Sequence, residues 1–286
     1  MRLHYLFFLA LTIHASAQNL SVKWDELTAA DFVQALQKSQ GVCLLPIGIM
    51  EKHGPHLPLG NDLINVRWVS EHAAQQEYAV VFPDYYFGQI FEAKHEPGTV
   101  AYSAGLQLQL LQETADEMGR NGCKKIVIVN GHGGNNNLLP YFAQSQLASP
   151  HDYVVYVFMR ESYPPGRPAM KTKVDSHAGE SETSHTLISR PDLVHLDRAG
   201  QESGADQNRV DLPEGVYTGI WWYAKFPNHY AGRIGSQQGA RRIRHERLGV
   251  VGGQYDPGRQ IGSGKPAFAA RVLREIQSSD GYKAVR

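Results

Sequence analysis

Glu51 and His53 stand two residues apart in the run Gly48-Ile49-Met50-Glu51-Lys52-His53-Gly54-Pro55-His56-Leu57-Pro58-Leu59-Gly60-Asn61-Asp62. In an extended backbone, side chains at i and i+2 point to the same face. A carboxylate and an imidazole then meet there, and Asp62 can return to them after a loop rich in Pro and Gly. That mixture of oxygen and nitrogen donors suits Zn, Mn or Fe(II). Taken alone, a Glu-x-His tripeptide is as readily an exposed polar loop.

A second constellation is Ile126-Val127-Ile128-Val129-Asn130-Gly131-His132-Gly133-Gly134-Asn135-Asn136, in which an apolar run leads straight into a His among glycines. Glycine permits close approach of a ligand to the backbone. Neither GxGxxG nor GxxxxGK is present, so a phosphate cradle is the weaker reading and a metal-ligating His132 the stronger. The third, Asp175-Ser176-His177-Ala178-Gly179-Glu180-Ser181-Glu182-Thr183-Ser184-His185, opens a helix with several ionisable groups. Capping by Ser181 and complementation of the helix dipole account for one acid, not for the cluster.

The elements that must carry these residues follow from hydrophobic spacing. Helices are predicted at Asp31–Ser39, Val66–Gln76, Leu106–Asn121, Leu138–Leu147, around Ser181–Ser189 and at Ala267–Ser278. Short apolar strands are predicted at Val42–Gly48, Tyr78–Phe82, Lys125–Asn130 and Tyr153–Met159. Continuous apolar strands alternating with helices imply an α/β fold, three layers α/β/α around a mainly parallel sheet, with the site at the carboxyl ends of the strands. Ser162–Val174, with three prolines, is a candidate lid. From Arg198 to Gly264 the pattern is irregular and rich in Gly and aromatic residues.

Lys plus Arg and Asp plus Glu both number 28 in 286 residues. A balanced charge without basic clusters gives no footprint for nucleic acid or for an anionic membrane surface. A small molecule or peptide is the expected substrate. Arg2, the apolar run Leu6 to Ile13 and Ala15-Ser16-Ala17 read as a signal peptide over residues 1–17, too short to span a bilayer, followed by one domain at 18–286. The expected location is therefore exported, periplasmic or secreted, with no membrane association after cleavage. Cys43 and Cys123 are read as two buried thiols, with a disulfide as the alternative that export permits.

Together the three segments resemble the creatininase family of amidohydrolases, whose marks are ExHGxHLP…D, NGHGGN and HAGxxETS. All three occur here in order, and His95 with Gly98-Thr99 matches a further His…GT element. The likeness covers roughly Pro46 to Leu196. It implies a three-layer α/β/α domain, often a homohexamer, with two divalent metal ions (Zn, Mn or Fe) hydrolysing C–N bonds. Carried over, Glu51 and His132 fall on one metal, His53 on the other, and Asp62 bridges them. Creatininase itself has an acid two residues after the His of NGH, where this chain has Gly134; Glu182 is expected to replace it. His177, in the HAG element, is the expected proton carrier. His95, Gly133 and Gly134 are expected at the substrate, and Trp221 and Trp222 as lid or packing residues. The implied reaction is hydrolysis of an amide or cyclic amide by a metal-activated water; its alternative is opening of a C–C bond in a keto-inositol or sugar-derived ring.

Overall fold

The computed structural model describes residues 20–159, 177–201, 210, 212–222 and 265–278, the last helix as backbone alone over 265–269. Residues 1–17, expected to be a signal peptide, and the Ser162–Val174 segment lie outside the described residues, as does most of 198–264. Four strands, β1 (Val42–Ile47), β2 (Val80–Val81), β3 (Lys125–Asn130) and β4 (Val154–Phe158), form one sheet in the order β2-β1-β3-β4. Every pairing in it is parallel. Among the described residues six α-helices accompany it: α1 (Ala29–Lys38), α2 (Asn61–Gln76), α3 (Ala104–Arg120), α4 (Leu138–Ser145), α5 (Glu180–Ser189) and α6 (Lys265–Ser278).

Alternation along each strand builds the layers. Cys43, Leu45 and Ile47 of β1 and Ile126 and Ile128 of β3 face α1, α3 and α4, meeting Ala35, Leu111, Ala115, Met118, Leu139 and Phe142. Val42, Leu44, Val127 and Val129 face the other way, onto Val66, Ala73 and Ala74 of α2 and Leu273 and Ile276 of α6. Both faces of β1 and β3 are thus dry, which is why the two strands read as unbroken apolar runs. The Lys125 ammonium donates to the carbonyls of Ile276 and Gln277 at 2.8 and 2.7 Å, tying the end of α6 to the start of β3. Among the described residues no helix is long and apolar enough to cross a membrane.

Two expectations change. The helix expected from Val66 begins at Asn61, because its first turn buries Asn61 and Asp62 and so hides the apolar spacing. Asp62 therefore sits on a helix, not on the preceding loop. The cysteines, expected as thiols, form a disulfide. Cys43 lies at the start of β1 and Cys123 just before β3, its neighbour, and their Cα atoms are 5.8 Å apart, within the bonding range.

Candidate metal centre

β1 and β3 end side by side, and each ends in glycine because α2 lies directly over them. A Cβ on Gly48 would come within 2.4 Å of the Leu63 backbone. A Cβ on Gly131 would meet the Val66 side chain at 2.7 Å and the Asp62 carbonyl at 3.0 Å. Glycine at both positions lets the first turn of α2 drop onto the strand ends and lower Asp62 between the two loops. The loop after β1 supplies Glu51 and His53. The loop after β3 supplies His132, whose backbone N–H donates to Asn130 Oδ1 at 3.1 Å. Asn135, fully buried, ties the same turn to Gln89 by accepting its N–H at 2.8 Å.

The side chains converge. Asp62 Oδ2 lies 2.8 Å from His132 Nδ1, and Asp62 Oδ1 lies 3.2 Å from His53 Nε2. Glu51 Oε1 is 3.3 Å from His132 Nδ1 and 3.6 Å from His53 Nε2. Glu182, on the first turn of α5, places Oε2 3.8 Å from His53 Nε2. Two donor sets share Asp62 through its two oxygens, Glu51 with Asp62 and His132, and His53 with Asp62 and Glu182; a third, Glu51 with His53 and His177, brings in the histidine of the HAG element. All five residues are buried.

Electrostatics show what such a set demands. Burial acts to lower the His53 pKa, but the Asp62 and Glu51 carboxylates outweigh it and push it up to about 10. His132 is likewise raised well above the ordinary imidazole value: burial opposes this, and the charge of Glu51 and the hydrogen bond to Asp62 prevail. Burial would raise the Asp62 carboxyl; the neighbouring His53 charge and the His132 hydrogen bond hold it far below the usual range. Three buried acids thus call for positive charge from within. The nitrogens turned to these acids, His53 Nε2 and His132 Nδ1, add donor capacity in the same place. The donors fit divalent Zn, Mn or Fe.

His177 enters from the residue before Ala178. Its Nε2 lies 2.6 Å from the Lys52 carbonyl, so that nitrogen carries a proton and Nδ1 is the one turned to the cluster, 3.9 Å from Glu51 Oε1. Its ring stands 4.6 Å from that of His53 and meets Trp222 edge-on at 5.9 Å. Ala178 takes a left-handed φ of 51°, and its N–H donates to Glu182 Oε2 at 2.6 Å. Strained backbone of this kind concentrates at functional sites.

The other expected residues divide. Gly134 backs onto the cluster: a Cβ there would lie 2.4 Å from His132 Nε2, so an acid at 134 does not fit this ring position. Gly133 faces open space. His95 is not drawn into the cluster; its side chain is 44% exposed and pairs with Glu96 at 3.5 Å, and Glu96 in turn meets Lys52 at 3.5 Å. Glu180, at the start of α5, is buried. His56 is buried too, with Nε2 2.9 Å from Thr183 Oγ1, and burial together with the nearby His53 charge lowers it to about 4. Sequence spacing missed Asn61 and Thr186, buried polar residues behind the cluster that carry no motif signal of their own, and gave no role to Thr183 of the ETS element, which is buried as well.

A model of the creatininase family, described as creatinine amidohydrolase, matches residues 25–253. The chain belongs to the creatininase family. It is thereby a member of a family of metal-dependent hydrolases acting on C–N bonds. A creatinine amidohydrolase from Pseudomonas putida is 27% identical over 199 residues, 62% of this chain and 75% of that one. A mycofactocin precursor peptide peptidase from Mycolicibacterium smegmatis is 35% identical over 165 residues, 54% of this chain and 60% of its own length, so that less than two thirds of that relative is spanned. Among solved structures, a Bacteroides fragilis chain assigned to the creatinine amidohydrolases superposes with a TM-score of 0.69, covering 92% of this chain and 98% of its own, at 21% identity. That likeness shows the creatininase fold.

Proposed function

We propose that the chain is an exported amidohydrolase that holds two divalent metal ions and cleaves a C–N bond in an amide or cyclic amide. The observation that carries this is Asp62, whose two oxygens face different imidazoles at 3.2 and 2.8 Å, each imidazole with a further carboxylate beside it. Glu51, Asp62 and His132 would hold one ion and His53, Asp62 and Glu182 the other. Ions held there supply Lewis acidity and lower the pKa of water within reach of a carbonyl. The chain's own groups do the rest. The buried carboxylates fix charge and exclude solvent, the Lys52 carbonyl orients His177, and His177 Nδ1 carries a proton toward the leaving nitrogen. Creatinine and a peptide, named for the two relatives, share the amide C–N bond, which favours this reading over C–C opening.

Export rests on the leader-like N-terminus together with the buried Cys43–Cys123 disulfide, a bond that persists in oxidising compartments. Association into a homo-oligomer is proposed too; Tyr217 and Ile220, exposed beside Trp221, are apolar surface that assembly would cover.

The deciding experiment combines elemental analysis with a panel of lactams, formamides, short peptides and keto-inositols. Release of amine or ammonia with metal dependence is the expected result, and turnover of the keto-inositols alone would replace the reading. His177→Ala should keep its metal and lose about 10²–10⁴-fold in activity. Loss of metal instead would make His177 a ligand.

A further inference from the structure

The two donor sets differ in how they are built. Glu51, Asp62 and His132 ride on the loop after β1, the start of α2 and the loop after β3, all pressed against the sheet. The second set needs Glu182, which comes from α5, more than a hundred residues beyond its partners His53 and Asp62. Something must hold α5 at a fixed position against α2.

What lies between the two helices is polar. Thr186 Oγ1 makes a short hydrogen bond to Asn61 Oδ1. Asn65 Nδ2 donates to Thr186 Oγ1 at 2.9 Å, and Ser189 Oγ donates to Asn65 Oδ1 at 2.8 Å. Thr186 and Asn61 are buried. Asn61 directly precedes Asp62, and Thr186 stands one turn beyond Glu182 on the same helix. An apolar contact at this place would tolerate sliding; directional bonds between buried groups do not. Glu182 is also fixed at the start of α5, by the N–H of Ala178 just before the helix. The position of its carboxylate relative to Asp62 is therefore the position of α5 as a body.

We infer that Asn61, Asn65, Thr186 and Ser189 are positioning residues, a seam that sets the Glu182–Asp62 geometry and with it the strength of the second metal position alone. The inference rests on the two-metal reading above. α2 is pinned independently, by the close approach at Gly48 and Gly131 and by Val66, Ala73 and Ala74 against the sheet. When the seam is loosened, α5 gives way and α2 stays.

The test is titration of the metal-free full chain with Co(II), followed by its visible absorption and by competition with a chromophoric chelator. Thr186→Val keeps the side-chain shape and removes the hydroxyl. It should weaken the second ion about 10- to 100-fold, the scale at which groups behind ligands act, and leave the first unchanged. Thr186→Ser should restore the second. Two ions held as in the parent chain, or both weakened in parallel, would overturn the seam. A parent chain that binds one ion only would sink the two-metal reading itself, a distinct outcome. If Thr186→Val does not fold, Ser189→Ala, at the half-buried end of the seam, is read by the same two outcomes.

Discussion

His53 shows most directly what a cluster of buried acids does to one residue. With its pKa pushed up to about 10 by Asp62 and Glu51, it holds a proton in the metal-free chain at neutral pH, and His132 does the same. A metal ion needs the neutral imidazole, so binding must expel these protons. Affinity should then climb from about pH 6.5 toward 10, by up to a decade per pH unit for each proton displaced. The sign for stability is opposite. A raised imidazole pKa contributes to the metal-free fold fully below the unfolded value of about 6.5, and that contribution fades as pH rises through about 10. Asp62, held low, contributes above the ordinary carboxylate pKa and loses its share only as pH falls toward acid. The gain in Tm from added Zn(II) over EDTA should therefore widen between pH 6.5 and 10. A gap that stays flat or narrows over that range would show that the imidazoles are neutral without metal.

At the scale of elements, the site depends on how closely α2 can sit on the strand ends. Gly48→Ala puts a methyl group 2.4 Å from the backbone of Leu63, and backbone cannot rotate out of the way. The first turn of α2 must lift, carrying Asp62 off both donor sets. Overpacking of this kind costs about 1–3 kcal/mol, and metal content and kcat/KM should fall together. Gly133→Ala, whose methyl would meet open space, should leave Tm and metal content alone. A rise in KM there would support its expected place at the substrate; equal damage from the two variants would refute the packing argument. The same close approach explains what was legible. β1 and β3 announce themselves as apolar runs ending in glycine, so Glu51, His53 and His132 could be placed at strand ends from spacing alone. The first turn of α2 could not, since it buries Asn61 and Asp62 where a helix would ordinarily show apolar residues. The α2–α5 seam was equally silent, because Asn and Thr read as surface until a partner helix is brought against them. Glu182 was reached by resemblance and by the absence of an acid at Gly134, not by periodicity.

The sheet is stapled at the amino ends of its two central strands and carries the donor cluster at their carboxyl ends. Cys43 and Cys123 lie at the amino ends of β1 and β3, while the donors follow their carboxyl ends. Neither the pairing nor its location could be read from the chain, since a disulfide requires β1 and β3 to be neighbours in register, and adjacency is a property of the sheet. The bond joins residues 80 apart, and closing a loop of that size in the unfolded chain accounts for about 4.5 kcal/mol in the chain-entropy picture. Engineered and native bonds commonly deliver less, so a loss of about 2–4 kcal/mol on reduction is the expected result. Comparing oxidised with reduced wild-type chain, by denaturant melts with and without a phosphine reductant, keeps both sulfurs in the core and separates cross-linking from cavity formation. Cys43→Ala with Cys123→Ala should cost more than reduction, because it also empties two fully buried positions. In both cases metal content and kcat/KM at 25 °C should stay within about twofold of the oxidised chain, since breaking a cross-link acts mainly on the unfolded ensemble and leaves the opposite ends of the strands in place. Metal released on reduction would mean instead that the strand ends are held in register through the disulfide, and that the catalytic end depends on the redox state of the other.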